Sequence, residues 1–532
     1  MKTFQAPLED ILFVLNHVAG AAGLEDWDAD LAAELGSHFA AFAEGEIARL
    51  DEPGDRQGAR LEDGRVRMPD GFVDLYRSYA EAGWPGLTAP EEFGGQGLDA
   101  TMLAVVSEVF SGANQSLQMV TGLVPGAIRV LLRFGTEAQK ARHIPGLASG
   151  ALLATMCLTE PGAGSDLARV RTRAVRDGGV WKITGEKIFI SGGDQDMSDG
   201  IFHLVLARTS DNGVKGLSLF AARDSLAAGA RNAITVTRIE EKMGLHASPT
   251  CQMAFDGAEA ELIGAEGQGL LAMFTMMNHA RSDVALQGVA HAARAFDVAR
   301  TYAVERSQGR KADGAPAVLS DHADVQRMLD EIDMAAMGGR AIAHLALVTM
   351  ERGDDPALVE FLTPLAKYWC TEAGQRAASL GQQVLGGYGY LQEYRLEQTY
   401  RDVRIAAIYE GANGIHARML ATRLMKGPEA AAFDVFLAGE AERFGGTVAD
   451  TLALWRSAAE ALRAAPDASV LAHDFMELTC LALLQPLWAR MEEAAEAHPE
   501  PERIRPLAAR GARQARAFAP AYLTRIKEEA AA

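Results

Sequence analysis

The hydrophobic period of this chain switches twice, near residues 155 and 269, and the double switch limits its fold more than any other feature. Before the first switch, LAAELGSHFAAFAEGEIARL (31–50) and FVDLYRSYAEAGW (72–84) repeat apolar residues every three or four positions, as core-facing helices do. A Gly/Pro-rich loop (83–100) leads into residues 101–135, which read as two or three buried helices. The period then becomes two. VRTRAVRDGGVWKITGEKIFIS (170–191) alternates around Asp177-Gly178-Gly179, a hairpin signal, and HLVLARTSDNGVKGLSLFAAR (203–223) does so across Asn212-Gly213. With 234–240 and 250–262 these strands predict a compact barrel or sandwich. From residue 269 long helical patterns resume (269–307, 324–351 and 358–385) and predict an antiparallel bundle. Lys426-Gly427-Pro428 reads as a linker to a last, Ala-rich helical unit. No βαβ alternation appears, which excludes a doubly wound sheet.

The expected class is therefore α+β and multi-domain. Its parts are an N-terminal helical extension (1–40), an all-α domain (41–155), a central β domain (156–265), a four-helix-bundle domain (266–426) and an additional helical domain (427–532). At 532 residues, several cores are required. The formal net charge of −20 argues against a nucleic-acid partner, which needs a basic footprint. Cys157, Cys251, Cys370 and Cys480 lie far apart without a CxxC pair and suit a reducing compartment. The opening MKTFQAPLEDILFVLNHV is a poor secretory signal, and no uninterrupted apolar run reaches membrane-spanning length. A cytoplasmic protein without membrane insertion is expected. No metal site is expected either, since the twelve His include no HExxH and no cluster at ligand spacing.

Two stretches carry chemistry. In RIAAIYEGANGIHARML (404–420) an apolar run leads straight into Glu410. A Glu beside a Gly is ordinarily a solvated loop residue; the alternative is a base in a dry pocket, where loss of water makes the carboxylate a better proton acceptor. In MCLTEPGAGSDLARVRT (156–172), just ahead of the expected strands, Thr159, Gly162, Gly164 and Ser165 gather hydroxyls and flexible amides. Such a loop is either a Pro-Gly turn or a cradle for a phosphate or a polar ring edge.

TEPGAGSD, KIFISGG (187–193), ERSQGRK (305–311), QQVLGGYGY (382–390) and RDVRIAAIYEGANGI (401–415) together resemble, in order and spacing, the acyl-CoA dehydrogenase family. The resemblance covers roughly residues 70 to 425. It is nearest to the branch containing 3-methylmercaptopropionyl-CoA dehydrogenases, through GGDQDMSDGIFHLVLAR (192–208), KMGLHASPTCQMAFDGA (242–258) and TMMNHARSDVALQGV (275–289). It implies an FAD-dependent flavoprotein that oxidises an acyl-CoA to the trans-2-enoyl-CoA, with Glu410 as α-proton base and flavin N5 as hydride acceptor. A short or medium acyl group, a homodimer or larger assembly, and an electron-transferring flavoprotein as acceptor are implied too. An acyl-CoA oxidase, or a non-catalytic flavin- or CoA-binding interaction protein, is the alternative on the same fold.

Carried over residue by residue, Leu158, Thr159, Gly164 and Ser165 would touch the flavin or its pyrophosphate, with Ser165 also near the CoA chain. Phe189, Ile190 and Ser191 would lie along the flavin ring, and Ala412 and Gly414 would flank it beside the base. Arg306, Gln308, Gln383, Gly386 and Gly387 would hold the pyrophosphate and adenosine of a neighbouring subunit's FAD. Asn278, Arg281 and Gly411 would face the substrate. The chain departs from the commoner pattern at Ala412, where many members have Thr, at His416 for Gln, and at Gly309 for an aromatic residue; His279 could face the acyl chain or merely pack.

Overall fold

The computed structural model describes residues 4–226 and 229–531. Helices α1 (Leu8–Phe13), α2 (Ala29–Phe42) and α3 (Asp51–Gln57) precede a small hairpin of β1 (Arg60–Glu62) and β2 (Arg65–Arg67). Then come α4 (Phe72–Glu81), α5 (Ala100–Thr121), α6 (Val124–Phe134) and α7 (Glu137–Ala148). Strands follow: β3 (Leu152–Cys157), β4 (Arg173–Asp177), β5 (Val180–Ser191), β6 (Gly200–Arg208), β7 (Leu217–Arg223), β8 (Ile234–Ile239) and β9 (Thr250–Ile263). Helix α8 (Gly269–Glu305), a hairpin of β10 (Ser307–Arg310) and β11 (Pro316–Val318), α9 (Ala323–Arg352), α10 (Pro356–Leu385), α11 (Leu396–Val403) and α12 (Asn413–Thr422) come next. The chain closes with α13 (Pro428–Phe444), α14 (Gly446–Ala464), α15 (Ala472–Glu493) and α16 (Pro501–Ala531).

Two compact units result, one of Met1–Phe42, Ala100–Gly112 and Arg281–Ala532, the other of Ala43–Asp99 and Ala113–Ala280. In the second, the expected β structure is a closed ladder: β6 pairs β7, β7 pairs β9, β9 pairs β5, β5 pairs β4, and β4 meets β6 at Arg173 and Arg208. The barrel form of the expectation therefore holds. Its first hairpin turns at Gly178 (φ +56°) and Gly179 (φ +94°), where both residues need the left-handed region that glycine reaches freely.

Two parts of this unit were read differently from sequence. Strand β3 lies ahead of the Thr159–Ser165 loop and pairs in parallel with β6, although LLATMC is a short apolar run that could equally continue a helix. The stretch read as all helical also contains the β1–β2 hairpin, whose Asp63-Gly64 turn is a strong local signal. Asp194, in the loop after β5, accepts from Arg65 Nε and Val66 N at 2.8 Å each and so fastens that hairpin to the barrel's own unit.

In the first unit α9 and α10 are joined through Gly353 (φ +70°) and capped at Asp355, whose carboxylate accepts from Leu358 N at 2.9 Å with Pro356 in the first turn. After the stretch read as a linker, Lys426-Gly427-Pro428, the chain enters α13 directly at Pro428, and both sides of it belong to one compact unit. Phe433 of α13 stacks on Phe361 of α10 at 4.4 Å, and one core runs from Phe13 through Met337, Leu420 and Trp455 to Leu484. Inside this unit the buried Arg340 of α9 donates to Glu108 of α5 at 2.6 Å. Asp10 of α1 pairs with Arg503 of α16, which also holds Asp333 of α9 at 2.8 Å. The four cysteines are all buried and unbridged. No single described helix is long and apolar enough to cross a membrane; α5 and α6, bent by 43°, meet that test only as a pair.

Candidate active site

Glu410 sits in a tight turn between a short helical stretch, Arg404–Ala407, and α12. It adopts φ +53° and Gly411 φ +94°, so two successive residues are left-handed. That conformation costs a non-glycine residue about 1–2 kcal/mol and persists only where neighbours enforce it. They do so from three helices. Arg281 of α8 donates Nε to the Glu410 carbonyl at 3.3 Å, and His416 of α12 donates Nε2 to the same oxygen at 3.1 Å. Lys367 of α10 donates Nζ to the Gly411 carbonyl at 2.8 Å and to Asn413 Oδ1 at 2.9 Å. The preceding Tyr409 hydroxyl donates to the buried Gln287 of α8. A Cβ at Gly411 would come within 2.8 Å of His416 Nε2, which explains the glycine.

The electrostatics follow from this packing. Burial pushes the Glu410 carboxyl up to about 7, against the opposing pull of Arg281 and Lys367. Burial pushes Lys367 down, and it holds His416 neutral by lowering it to about 3. Ala412 is the residue before α12 and provides no side-chain cap. Gly414 is the exposed second residue of that helix, with open space where a Cβ would stand. Asn278 is exposed on α8, three residues before Arg281, a spacing that puts both on one helical face. His279 is buried, its Nδ1 lacks a partner among the described residues, and it packs near Gly126.

A second group lies on the barrel unit. The backbones of Glu160 and Ala163 bond each other both ways (3.1 and 3.0 Å), closing a tight loop that leaves Gly164 and Ser165 exposed. Ile188 N donates to the Thr159 carbonyl at 2.9 Å, and the buried Lys187 Nζ donates to the Leu158 carbonyl at 3.0 Å and to Glu160 at 2.8 Å. Just there the β5–β9 register slips: Lys187 pairs Met253, but Ile190 pairs Cys251. The extra residue is a β-bulge, and it inverts the alternation beyond it. Ile190 is therefore turned inward, while Phe189 (φ +58°) is 60 % exposed. Ser191 remains half-buried.

The third group lines one cleft of about 630 Å³ in the first unit. Arg306, Gln308, Gln383, Gly386 and Gly387 all border it, with the Arg306 guanidinium 5.9 Å from the centre of the Tyr388 ring. Beside it Gly309 has φ +75°, a conformation that explains glycine where an aromatic is commoner.

Three family descriptions match in order: acyl-CoA dehydrogenase, N-terminal domain, over residues 32–151, middle domain over 155–258, and C-terminal domain over 267–425. The chain belongs to the acyl-CoA dehydrogenase family. A 3-methylmercaptopropionyl-CoA dehydrogenase of Ruegeria pomeroyi is 42 % identical over 447 residues, 79 % of this chain and 76 % of that relative. A broad-specificity linear acyl-CoA dehydrogenase of Mycobacterium tuberculosis is 33 % identical over 457 residues, 79 % and 74 % of the two chains. Among solved structures, the acyl-CoA dehydrogenase of Bacillus anthracis, complexed with FAD, matches at TM-score 0.78 over 97 % of this chain and 91 % of its own. At 21 % identity that likeness speaks for the fold, and it extends over this acyl-CoA dehydrogenase's C-terminal helices.

Sequence reasoning missed Glu160, Lys187 and Lys367 within these sites. Lys367 did leave a signal, a lone Lys in the apolar run FLTPLAKYWC.

Proposed function

We propose that this acyl-CoA dehydrogenase removes the α-proton of an acyl-CoA thioester with Glu410, in an FAD-dependent α,β-dehydrogenation to the trans-2-enoyl-CoA. The observation that carries the proposal is the turn of Glu410, a carboxyl pushed up to about 7 by burial on a backbone fastened from three helices. A base with a pKa near the working pH is both ionised often enough and basic enough to take a weakly acidic proton. Negative charge developing on the thioester oxygen requires donors, and the Glu410 N–H, with Gly411 allowing close approach, is the one this turn would supply. Arg281 and Asn278 would orient the thioester.

The residues fit FAD on two observations. The bulge leaves an aromatic ring, Phe189, exposed, Gly164 and Ser165 are exposed as well, and the cleft presents a guanidinium, two amides and two glycines. Leu158, Thr159, Gly164, Ser165, Phe189, Ile190, Ser191, Ala412 and Gly414 would hold the ring and phosphate side; Arg306, Gln308, Gln383, Gly386 and Gly387 would hold the adenosine end of a second copy's cofactor, in a homodimer or larger assembly. When bound, FAD accepts the β-hydrogen with its electron pair, and an electron-transferring flavoprotein then takes the electrons. The substrate is 3-methylmercaptopropionyl-CoA or a related short or medium acyl-CoA. A thioether sulfur is nearly isosteric with a methylene, and one methylene is worth only about 1–3 kcal/mol in a pocket.

The test is anaerobic bleaching of the flavin band by a panel of acyl-CoAs, with Glu410→Gln beside the parent. The variant is expected to keep its flavin and to be reduced at least ~10²–10⁴-fold more slowly. A variant reduced at the parent's rate would overturn the role of Glu410, and fast hydrogen peroxide formation in air would mark an oxidase instead.

A further inference from the structure

The Lys367 ammonium is one of the most fully enclosed charges in the chain, with no measurable exposure. Phe361, Leu362, Leu365 and Ala366 precede it on α10, all of them buried. Both of its hydrogen-bond acceptors, the Gly411 carbonyl and Asn413 Oδ1, are uncharged. Removing an amine from water for two neutral acceptors is unfavourable, and burial lowers the Lys367 pKa to about 7. The arrangement continues beyond them. Asn413 Nδ2 donates back to α10, to Thr371 Oγ1 at 3.0 Å and to Glu372 Oε1 at 2.7 Å. One helix thus grips both the residue after Glu410 and the first residue of α12. The side chain of Ala412, at the cap position between them, can make no such bond. Tyr368, the next residue along α10, instead donates to Glu477 of α15, so on α10 it is Lys367 that reaches the Gly411 carbonyl.

We infer that Lys367 is a positioning residue for the dehydrogenation, one whose ammonium fastens the Gly411 carbonyl and Asn413 and thereby keeps Glu410 in its left-handed turn beside the substrate. The inference rests on Glu410 being the base. It has an electrostatic side as well. The charged groups acting on the carboxyl are Arg281 of α8 and Lys367 of α10, with Glu372 of α10 acting on Lys367, and Arg423 and Glu360 acting on Arg281. His416 of α12 stays neutral. Lys367 and Arg281 both favour the ionised carboxylate, so losing the Lys367 cation raises the proton affinity of Glu410.

The experiment compares Lys367→Met, Lys367→Arg and Glu410→Gln in the flavin-loaded enzyme. It follows flavin reduction by rapid mixing without oxygen across the neutral pH range. The substrate is whichever acyl-CoA bleaches the parent protein. Lys367→Met is expected to lower the limiting rate by about 10²-fold, the scale of a misplacement near 1 Å, with a much smaller change in the substrate concentration giving half that rate. Its acid limb should move to higher pH, and Lys367→Arg should recover part of the rate. A Met variant with the parent's limiting rate and acid limb overturns the inference. If Met impairs folding, Lys367→Gln is judged by the same two criteria. Glu410→Gln separates the two levels. Should it reduce flavin normally, the base assignment fails and this inference falls with it; should it be inert while Lys367→Met is normal, only the role of Lys367 fails.

Discussion

Glu160→Gln tests whether the Thr159–Ser165 loop is held by charge. The Lys187 side chain is wholly enclosed and that of Glu160 is 6 % exposed, with 2.8 Å between them. Gln preserves the shape, but its single amide oxygen can keep only one of the bonds from Arg171 N (2.7 Å, to Oε2) and Thr172 N (3.0 Å, to Oε1), so one acceptor is lost along with the counter-charge. An ammonium stranded in a buried site costs about 3–5 kcal/mol. It can escape by shedding its proton, at about 1.4 kcal/mol per pH unit below an ordinary Lys pKa near 10.4, or roughly 4–5 kcal/mol at pH 7. Burial already pushes the Lys187 pKa down in the parent, and removing Glu160 lowers it further. A Lys whose folded-state pKa is depressed binds fewer protons folded than unfolded, so the folded state gains stability as pH rises. The destabilisation should thus be about 3–5 kcal/mol at pH 7 and shrink toward about 2 kcal/mol at pH 9. Denaturant unfolding followed by circular dichroism at both pH values, with retained flavin as a second readout, measures it. A cost below about 1 kcal/mol at pH 7, or one that is unchanged or larger at pH 9, would refute the reasoning.

Two further outcomes are expected. Phe189→Gly relieves a left-handed non-glycine residue that is 60 % exposed, so flavin-free protein should unfold at the same stability or up to about 1 kcal/mol higher while flavin titration shows weaker binding; a clear loss of stability would show that the ring packs on the protein itself. Glu108→Leu leaves Arg340 only the more distant Asp10 carboxylate, 3.6 Å away, and should cost about 3–5 kcal/mol, whereas Glu108→Leu with Arg340→Met should recover part of it in denaturant unfolding; a double variant no more stable than the single one would refute this.

Local pattern was enough for the helix–sheet–helix order, for the hairpin at Gly178-Gly179 and for the motif loops, because each is set by neighbours in the chain. What stayed hidden depends on partners distant in sequence. Strand β3 is a strand only because β6, nearly fifty residues later, lies beside it. Alternation along KIFIS cannot show that β9 is one residue short opposite it, so the outward turn of Phe189 was invisible. Gly427-Pro428 looks the same whatever the following helix packs on, and the stacking of Phe433 on Phe361 could not be read from it. Glu410 itself was legible by motif, but its grip by Arg281, Lys367 and His416 comes from three helices meeting at one turn.

The two buried lysines of these sites solve one problem in one way. Five described non-glycine residues have positive φ, and two of them, Phe189 and Glu410, are candidate site residues. Asp63 needs no special support, since Asp63-Gly64 form the hairpin turn that such angles suit. Phe189 and Glu410 lie in irregular segments and need outside support, and beside each a buried lysine donates to a loop carbonyl: Lys187 to Leu158, Lys367 to Gly411. An ammonium reaches such carbonyls with a long, apolar stem, so the loop above it can stay open to a ligand while its backbone is fixed from below. The two differ in their counter-charges. Lys187 has Glu160 within hydrogen-bonding distance, whereas the carboxylates acting on Lys367 include Glu410 itself. Charge lost at Lys187 should therefore appear as instability, and charge lost at Lys367 as a changed base.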